Sequence, residues 1–426
     1  MRAAPDEQRD PIAWCVAIAL GFLALAWHRL GIPSQIYFDE VHYVAAARKL
    51  LAMVRANPEH PLFGKEMIAA AIWAFGDRPL VWRIPSLLFG TLGLFAIGRA
   101  LWFASQRRFA TLAGMVLVAT GFAWFIQSRI AMLDMIMAGL AMTALWQLAA
   151  AVRRPAQGHW RLALAGVLLG LAMGTKWSVL PAAMLPGLTF LWLKLKHTGR
   201  RFLWAREGGP VPGITLLEAA LWLGLVPLAV YWASFAPAFF YSQQALDPLA
   251  PIKHHQWMLA LQDSVKKPHP YRSVWYQWIA DWRAIWYLYK EVDGAQRGIV
   301  LLGNPLTMLA GLPAAAWALW AGIRRQRHDA LALALLYLAS IVMWVGNGKP
   351  IQFYYHYLLP GTFLLGCLAL ALEDLHFRGG RLRWAAWGVL AGSVALFAWF
   401  YPIISAAKLC CGRPSFEYWM WLRSWR

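Results

Sequence analysis

The sequence predicts an all-α integral membrane protein with about eleven transmembrane helices. Three observations carry that prediction. Hydrophobic residues make up 60% of the 426 positions and charged residues only 14%, far from the balance of soluble domains. The apolar residues gather in blocks of about 18–24, the length that crosses a bilayer core as a helix. They are apolar all round rather than along one stripe. The basic residues recur in every second gap between blocks. Lipid offers no partner to backbone polar groups, so such blocks must be helices. The 27 tryptophans cluster near block ends, where an interfacial aromatic belt sits.

In chain order the spans are read at about 12–30, 80–102, 110–127, 131–150, 161–175, 178–193, 213–236, 300–322, 330–346, 355–373 and 385–406. The first follows a short polar start without a small-residue cleavage site, so it is expected to remain as a retained helix. Arg107-Arg108, Arg153-Arg154, Lys194 to Arg206, Arg324 to Arg327 and Arg378 to Arg383 occupy alternate gaps, and Arg2 and Arg9 precede the first span. Basic residues mark cytoplasmic loops, which places the N-terminus in the cytoplasm and the C-terminus outside. The net charge of +20 follows from this pattern. A nucleic-acid binder would instead collect its basic residues in one patch, so no nucleic-acid partner is expected. Lys65, Arg129, Lys176 and Lys349 depart from the pattern by falling in outer segments.

The whole chain, 1–426, therefore reads as one transmembrane domain with two long outer segments, 31–79 and 237–298. Neither is large enough for a sizeable independent domain. Cys15 and Cys367 lie in apolar blocks, and Cys410 and Cys411 are adjacent. There is no disulfide framework and no zinc spacing among them.

The first outer segment opens with Tyr37-Phe38-Asp39-Glu40-Val41-His42-Tyr43. Adjacent helical residues point in different directions, so Asp39 and Glu40 are not expected to share a proton. One can face a cleft while the other makes structural bonds. Asp39 also suits a helix N-cap. Val44, Ala47, Leu51 and Val54 can share the apolar face of a short interfacial helix. Next comes Glu59-His60-Pro61-Leu62-Phe63-Gly64-Lys65. A lysine there is either solvated or a point charge for a phosphate. Arg129 and Asp134 flank the start of the fourth span. They either pair to fix that hairpin or meet a substrate, because an ionisable residue in a span needs a partner. Lys176 can meet a lipid phosphate or snorkel. The rings of the second segment suit sugars and also membrane interfaces.

Taken together these motifs resemble the protein O-mannosyltransferase family, glycosyltransferase family 39 of the GT-C membrane superfamily. The resemblance rests on Asp39-Glu40, His60-Pro61-Leu62-Phe63-Gly64-Lys65 and Arg83-Ile84-Pro85-Ser86-Leu87-Leu88-Phe89-Gly90. It continues through Arg129 to Asp134, Gly174-Thr175-Lys176-Trp177-Ser178 and His269-Pro270-Tyr271-Arg272-Ser273-Val274-Trp275-Tyr276-Gln277-Trp278. Gly303-Asn304-Pro305 and, more loosely, Tyr355-His356-Tyr357 complete it. Where the family typically reads H-P-P-L-x-K, this chain has leucine and phenylalanine after a single proline. The segment 237–298 leaves no room for the β-trefoil inserted in eukaryotic members, which implies a prokaryotic-type enzyme of a bacterial cell membrane with its site on the outer side.

The resemblance implies inverting transfer of mannose from a polyprenyl-phosphate-mannose donor to Ser or Thr hydroxyls of an acceptor protein, with membrane lipid as the third partner. Asp39 is expected to be the general base, with Glu40 grouped beside it in the catalytic pair. Glu40 and His60 would orient the base or the acceptor, and Lys65, Arg129 and, less directly, Lys176 would stabilise the leaving phosphate. His42, Asp134, His269, Tyr271, Trp275, Trp278 and His356 complete the expected substrate-binding set. No cofactor or metal is required by this scheme, although a divalent cation between Asp39 and a phosphate is compatible with carboxylate ligands. Two alternatives remain open at this level: a GT-C transferase acting on lipid A or another envelope glycan, and a lipid-linked sugar flippase. Trp419, Trp421 and Trp425 with Arg423 and Arg426 read as an interfacial anchor without a catalytic role.

Overall fold

The computed structural model describes residues 9–264, 269–349 and 351–426. Arg2, used above for orientation, lies outside them. Each of the eleven apolar blocks is helical. Eight helical runs are long and apolar enough to cross a membrane by length and composition: Pro79–Ser105, Leu133–Arg153, Trp177–Arg201, Leu216–Ala233, Pro305–Arg324, His328–Val345, Tyr354–Arg378 and Gly380–Ile404. The other three blocks carry shorter helices, α1 (Ile12–Trp27), α5 (Arg108–Ala119) followed by α6 (Phe122–Gln127), and α8 (Gly158–Met173). The blocks around α5 and α6 are broken at Thr120-Gly121, which divides one apolar stretch into two pieces.

Two helices form the centre. They are α7 (Leu133–Arg153) and α16 (Leu358–Arg378), the most enclosed of the long helices. The close approach of α7 to α4 (Pro79–Ser105) requires glycine. A Cβ on Gly139 would lie 2.3 Å from the carbonyl oxygen of Phe89, and one on Gly93 would lie 2.9 Å from Cα of Gly139. Small residues at such a crossing let two backbones pack without lipid between them.

Helix junctions fall into two sets. At one end Arg99 pairs with Asp10, Arg107 with Glu373, and Arg325 and Arg378 with Asp374. At the other end, called here the site end, the first long loop meets the starts of α4 and α7 and the end of α17 (Gly380–Ile404). Two short helices cover it, α2 (Glu40–Leu51) and α3 (Phe63–Phe75). The buried face of α2 is Tyr43, Val44, Ala46, Ala47 and Leu50. Leu51, expected on that face, is exposed, and Val54 falls beyond the helix end.

The all-α expectation needs one correction. Ile285–Val292 and Ala295–Leu301 form an antiparallel hairpin, β1 and β2, in register Val292↔Ala295. Its turn is Asp293-Gly294, with φ of +50° and +68°. An Asp-Gly pair supplies the two positive φ values that a tight hairpin turn needs. The strand Ile285-Trp286-Tyr287-Leu288-Tyr289 is rich in β-formers.

One ion pair holds the site end together. Arg83 and Glu40 are both fully buried and meet at 2.8 Å. Arg83 donates Nε and Nη2 to Glu40, Nη1 to the carbonyls of Leu30 and Pro33, and Nη2 also to Gln35. Glu40 further accepts from the backbone N–H groups of Tyr37 and Ala131. Every donor of the guanidinium and both carboxylate oxygens are thereby satisfied.

Arg83→Met should therefore destabilise the protein by about 3–5 kcal/mol, the cost of an orphaned buried charge. The double variant Arg83→Met/Glu40→Met should recover part of the loss, and not all of it, because the Leu30, Pro33 and Gln35 carbonyls still lack a donor. Thermal unfolding of the detergent-solubilised protein measures both; equal melting temperatures for Arg83→Met and wild type would refute the assignment.

Candidate active site

Asp39 directly precedes α2, yet its side chain makes no capping hydrogen bond. Asp39 therefore holds the N-cap position without capping the helix through its side chain. Its backbone carbonyl accepts from His42 and Tyr43, which starts the helix, and among the described residues no donor is bonded to the carboxylate. The preceding residue, Phe38, has φ +49°, an uncommon conformation for a bulky side chain. Its ring stacks on Tyr287 of β1 at 4.0 Å between centroids. Asp39 is half-buried. Burial pushes its carboxyl up to about 6, against the lowering influence of Lys176, His42 and Lys349, while Asp134 adds to the rise.

Facing Asp39 is a buried ion pair. Lys176 Nζ lies 2.8 Å from both carboxylate oxygens of Asp134 and 4.7 Å from the centre of the Tyr355 ring. The alternative partner for Asp134 expected above, Arg129, points elsewhere. Its guanidinium donates to the carbonyls of Ala26 and His28 at 2.6 and 2.7 Å and to those of Arg29 and Ser405 at 3.3 Å. Arg129 thus closes the C-terminal end of α1, whose last carbonyls have no helical partner, and is corrected from a phosphate ligand to a structural residue.

Lys65 receives the same correction. It is fully buried, and its ammonium donates to the carbonyls of Asn57 and His60. It rivets the turn that carries His60, with two of its three N–H groups taken by those carbonyls and the side chain closed off from solvent. Burial lowers it to about 7, with Glu59 and Glu66 opposing. Glu40 is likewise withdrawn from the catalytic pair, because Arg83 and two backbone amides occupy it.

The other expected residues divide by position. His42 is exposed beside Asp39. His60 lies 6.4 Å from Tyr43, ring to ring. Burial, then the positive charges of Lys176, Lys349 and Lys65, hold it well below its ordinary value, so it is neutral. His356 is enclosed by Trp344 at 4.1 Å, Tyr355 at 4.5 Å and Trp278 at 5.9 Å. The second loop meets that aromatic wall. His269 sets its ring edge-on to Phe353, and Ser273 donates its N–H to the carbonyl of Gln352. Trp278 is fully buried, with Nε1 on Ser273 Oγ at 2.8 Å. No face of it is open to a sugar, so its expected binding role is corrected to support. Tyr271 and Trp275 are half-buried on the same segment.

Four residues outside the expected set join the site. The phenol groups of Tyr43, Tyr287 and Tyr355 are buried, and each feels the charge of Asp39. Lys349 follows α15 (His328–Val345), and its backbone N–H donates to Asn347 Oδ1. Burial and Lys176 lower its ammonium to about 8, opposed by Glu59, Asp134 and Asp39. Among the described residues, that ammonium donates to no protein acceptor. The departure of Lys349 from the basic-loop pattern was its only sequence signal. Tyr287 had none without the hairpin. Beside His60, a cavity of about 370 Å³ opens between the two long loops, lined by Arg55, Tyr241, Lys253, His254 and Trp257 among others. Among the described residues no group of three or more His, Cys, Asp or Glu side chains converges as a metal site.

The arrangement can accept a proton at one free carboxylate while two lysines stand within electrostatic reach of it. Known proteins share this chain. The polyprenol-phosphate-mannose–protein mannosyltransferase of Mycolicibacterium smegmatis is 28% identical over 93% of this chain and 89% of its own length. That of Corynebacterium glutamicum is 27% identical over 98% and 94%. Among solved structures, the Saccharomyces cerevisiae protein O-mannosyltransferase Pmt1-Pmt2 complex bound to the sugar donor superposes with a TM-score of 0.80 at 14% identity, over 98% of this chain and 93% of that one. ArnT from Cupriavidus metallidurans superposes with a TM-score of 0.58 at 18% identity, over 95% and 67%. The profile of the dolichyl-phosphate-mannose-protein mannosyltransferase family matches residues 16–241, which hold Asp39, His60, Asp134 and Lys176, and the chain belongs to that family.

Proposed function

We infer that this protein is a glycosyltransferase that moves mannose from a polyprenyl-phosphate-mannose donor to Ser or Thr hydroxyls of acceptor proteins, with inversion. The observation that carries the reading is the free carboxylate of Asp39 beside Lys176, Asp134 and Lys349. The acceptor hydroxyl oxygen attacks the anomeric carbon while Asp39 takes its proton. The bond from that carbon to the phosphate oxygen breaks, and the phosphate leaves with the electron pair. A positioned base contributes about 10²–10⁴-fold. Lys349, whose ammonium donates to no protein acceptor among the described residues, supplies one cation for the departing phosphate, and Lys176, held by Asp134, adds a second. Cations fixed in place before reaction act most strongly where charge develops. Tyr43 and Tyr355 offer hydroxyls to the sugar. The cavity beside His60 is assigned to the acceptor, because its mixed lining sets Arg55, Lys253 and His254 among apolar residues such as Phe235 and Trp257, as a peptide with polar backbone and apolar side chains requires. The lysines supply the positive charge the leaving group needs, so the scheme calls on no metal.

The placement proposed here has all eleven helical blocks crossing a bacterial cell membrane within a single GT-C domain, 1–426. The N-terminus is cytoplasmic, and the C-terminus and the loops 31–79 and 237–298 are outside. The gathering of Arg107, Arg325 and Arg378 at the end opposite Asp39 supports that orientation. A flippase reading is disfavoured because transporters hold their charged sites near the bilayer midplane, whereas this cluster lies at one end of the bundle.

Purified protein, polyprenyl-phosphate mannose carrying a labelled sugar and a Ser/Thr-rich peptide form the direct test. Wild type should label the peptide, and Asp39→Asn should lower kcat by at least about 100-fold; equal rates would remove Asp39 from the chemistry. Label in an envelope lipid fraction and none in the peptide would move the acceptor to a glycan.

The dependence of kcat/KM on pH should be bell-shaped. Asp39 must be ionised to accept a proton, so the rate should fall as pH drops below about 6. Lys349 must be charged, so the rate should fall again above about 8. Lys349→Gln should lower kcat/KM by about 100-fold, erase the alkaline limb and raise the acidic one, since Lys349 helps keep Asp39 ionised. Persistence of the alkaline limb would reassign it. Chelation of divalent ions should leave the rate unchanged.

A further inference from the structure

The C-terminal tail is bound to the same hairpin that stacks on Phe38, the residue before Asp39. Trp425 is buried. Its Nε1 donates to the carbonyl of Asp281 at 2.8 Å, and its own carbonyl accepts from Trp286 Nε1 at 2.9 Å. Ser424 Oγ donates to the carbonyl of Trp282. Trp421 packs on Phe400 of α17 at 5.0 Å and stacks on Trp425 at 6.2 Å. The tail therefore clamps the start of β1 against the end of α17.

The hairpin in turn grips the first loop at two points. Asp293, in the hairpin turn, accepts from the backbone N–H and the hydroxyl of Ser34. Tyr287, the residue after Trp286, stacks on Phe38 and donates its hydroxyl to Gln127 at 3.3 Å. Phe38 is held at positive φ immediately before Asp39. A backbone in that region persists only when its surroundings over-determine it.

We propose that residues 421–426 are a latch that positions Asp39 through Trp286, Tyr287 and Phe38. Trp425 is a positioning residue in this scheme and touches no substrate. The proposal rests on the assignment of Asp39 as the base for its catalytic consequence, and on geometry alone for its structural one. Lys176 and Lys349 sit on other segments, the turn between α8 and the next helix and the loop after α15. Donor binding should therefore survive loss of the latch.

The test uses the full chain in detergent, with amide hydrogen exchange and transfer kinetics on wild type, Trp425→Ala, Trp286→Phe and Asp39→Asn. Trp425→Ala should speed exchange of residues 34–40 by about tenfold, with helices α7 and α16 unaffected. It should lower kcat by about 10–100-fold, as misplacement of a reacting group does, and leave the donor KM within about twofold. Trp286→Phe removes the indole N–H and leaves a smaller aromatic ring in its place, so it should give smaller changes in the same direction; it decides the matter if Trp425→Ala does not fold. Unchanged exchange at 34–40 in the folded variant, or faster exchange throughout with kcat and KM failing together, overturns the latch. Full activity of Asp39→Asn would overturn the base assignment instead, and the exchange result would still decide the latch.

Discussion

Arg83 directs all five of its N–H groups into the first long loop, two to Glu40 and three to the carbonyls of Leu30, Pro33 and Gln35. The rest of the site depends on this contact. It fixes the exit from α1, the start of α2 and, through Glu40 and the N–H of Ala131, the approach to α7. Breaking a buried pair by removing one partner costs far more than the pair itself gains. The loop therefore has little freedom to rearrange around Asp39. Because adjacent helical residues diverge, turning Glu40 inward onto Arg83 turns Asp39 toward Lys176.

Buried charge in this molecule is sorted by what neutralises it. Lys65 and Arg129 are directed onto backbone carbonyls, Lys176 is matched by Asp134, and Glu40 by Arg83. Each of these is a fastener, because a buried charge hydrogen-bonded to groups on other segments holds those segments in one geometry. Asp39 and Lys349 are different. Both are partly withdrawn from water, both are shifted toward neutral pH, and among the described residues neither side chain is hydrogen-bonded to a protein partner. Groups with pKa values moved toward the working pH are the ones suited to exchange a proton or receive a developing charge. Family motifs thus mix two kinds of residue: those that build the loop, such as Lys65 and Glu40, and those that face the cleft.

The hairpin and the tail extend the same logic to segments distant in sequence. Tyr287 reaches Phe38 across about 250 residues, and Trp425 reaches Asp281 across 144. Neither contact brings chemistry of its own. Their effect is to restrict one left-handed residue, Phe38, that would relax in isolation.

The sequence by itself determined the membrane helices, because block length and apolar composition are local properties that lipid tests directly. It also singled out segments that the structure brings together, since Asp39, His60, Asp134 and Lys176 stand in motifs a short distance from helix ends. The hairpin was legible in principle from Asp293-Gly294 between two β-rich stretches and was obscured by the helical context around it. Only the tertiary structure decided which charged residue pairs with which. Arg129 and Asp134 lie five residues apart, yet one side chain turns to the end of α1 and the other to Lys176. Lys65 was open to solvent or a phosphate by its place in the sequence and is buried onto two backbone carbonyls, while Lys349, marked in the sequence only by its outer position, finds no protein acceptor for its ammonium among the described residues. Spacing along a chain constrains which residues can be near one another. The direction of a long charged side chain is settled by which unsatisfied carbonyl or carboxylate the packed helices bring within about 3 Å of it, and that information exists only once the bundle has closed.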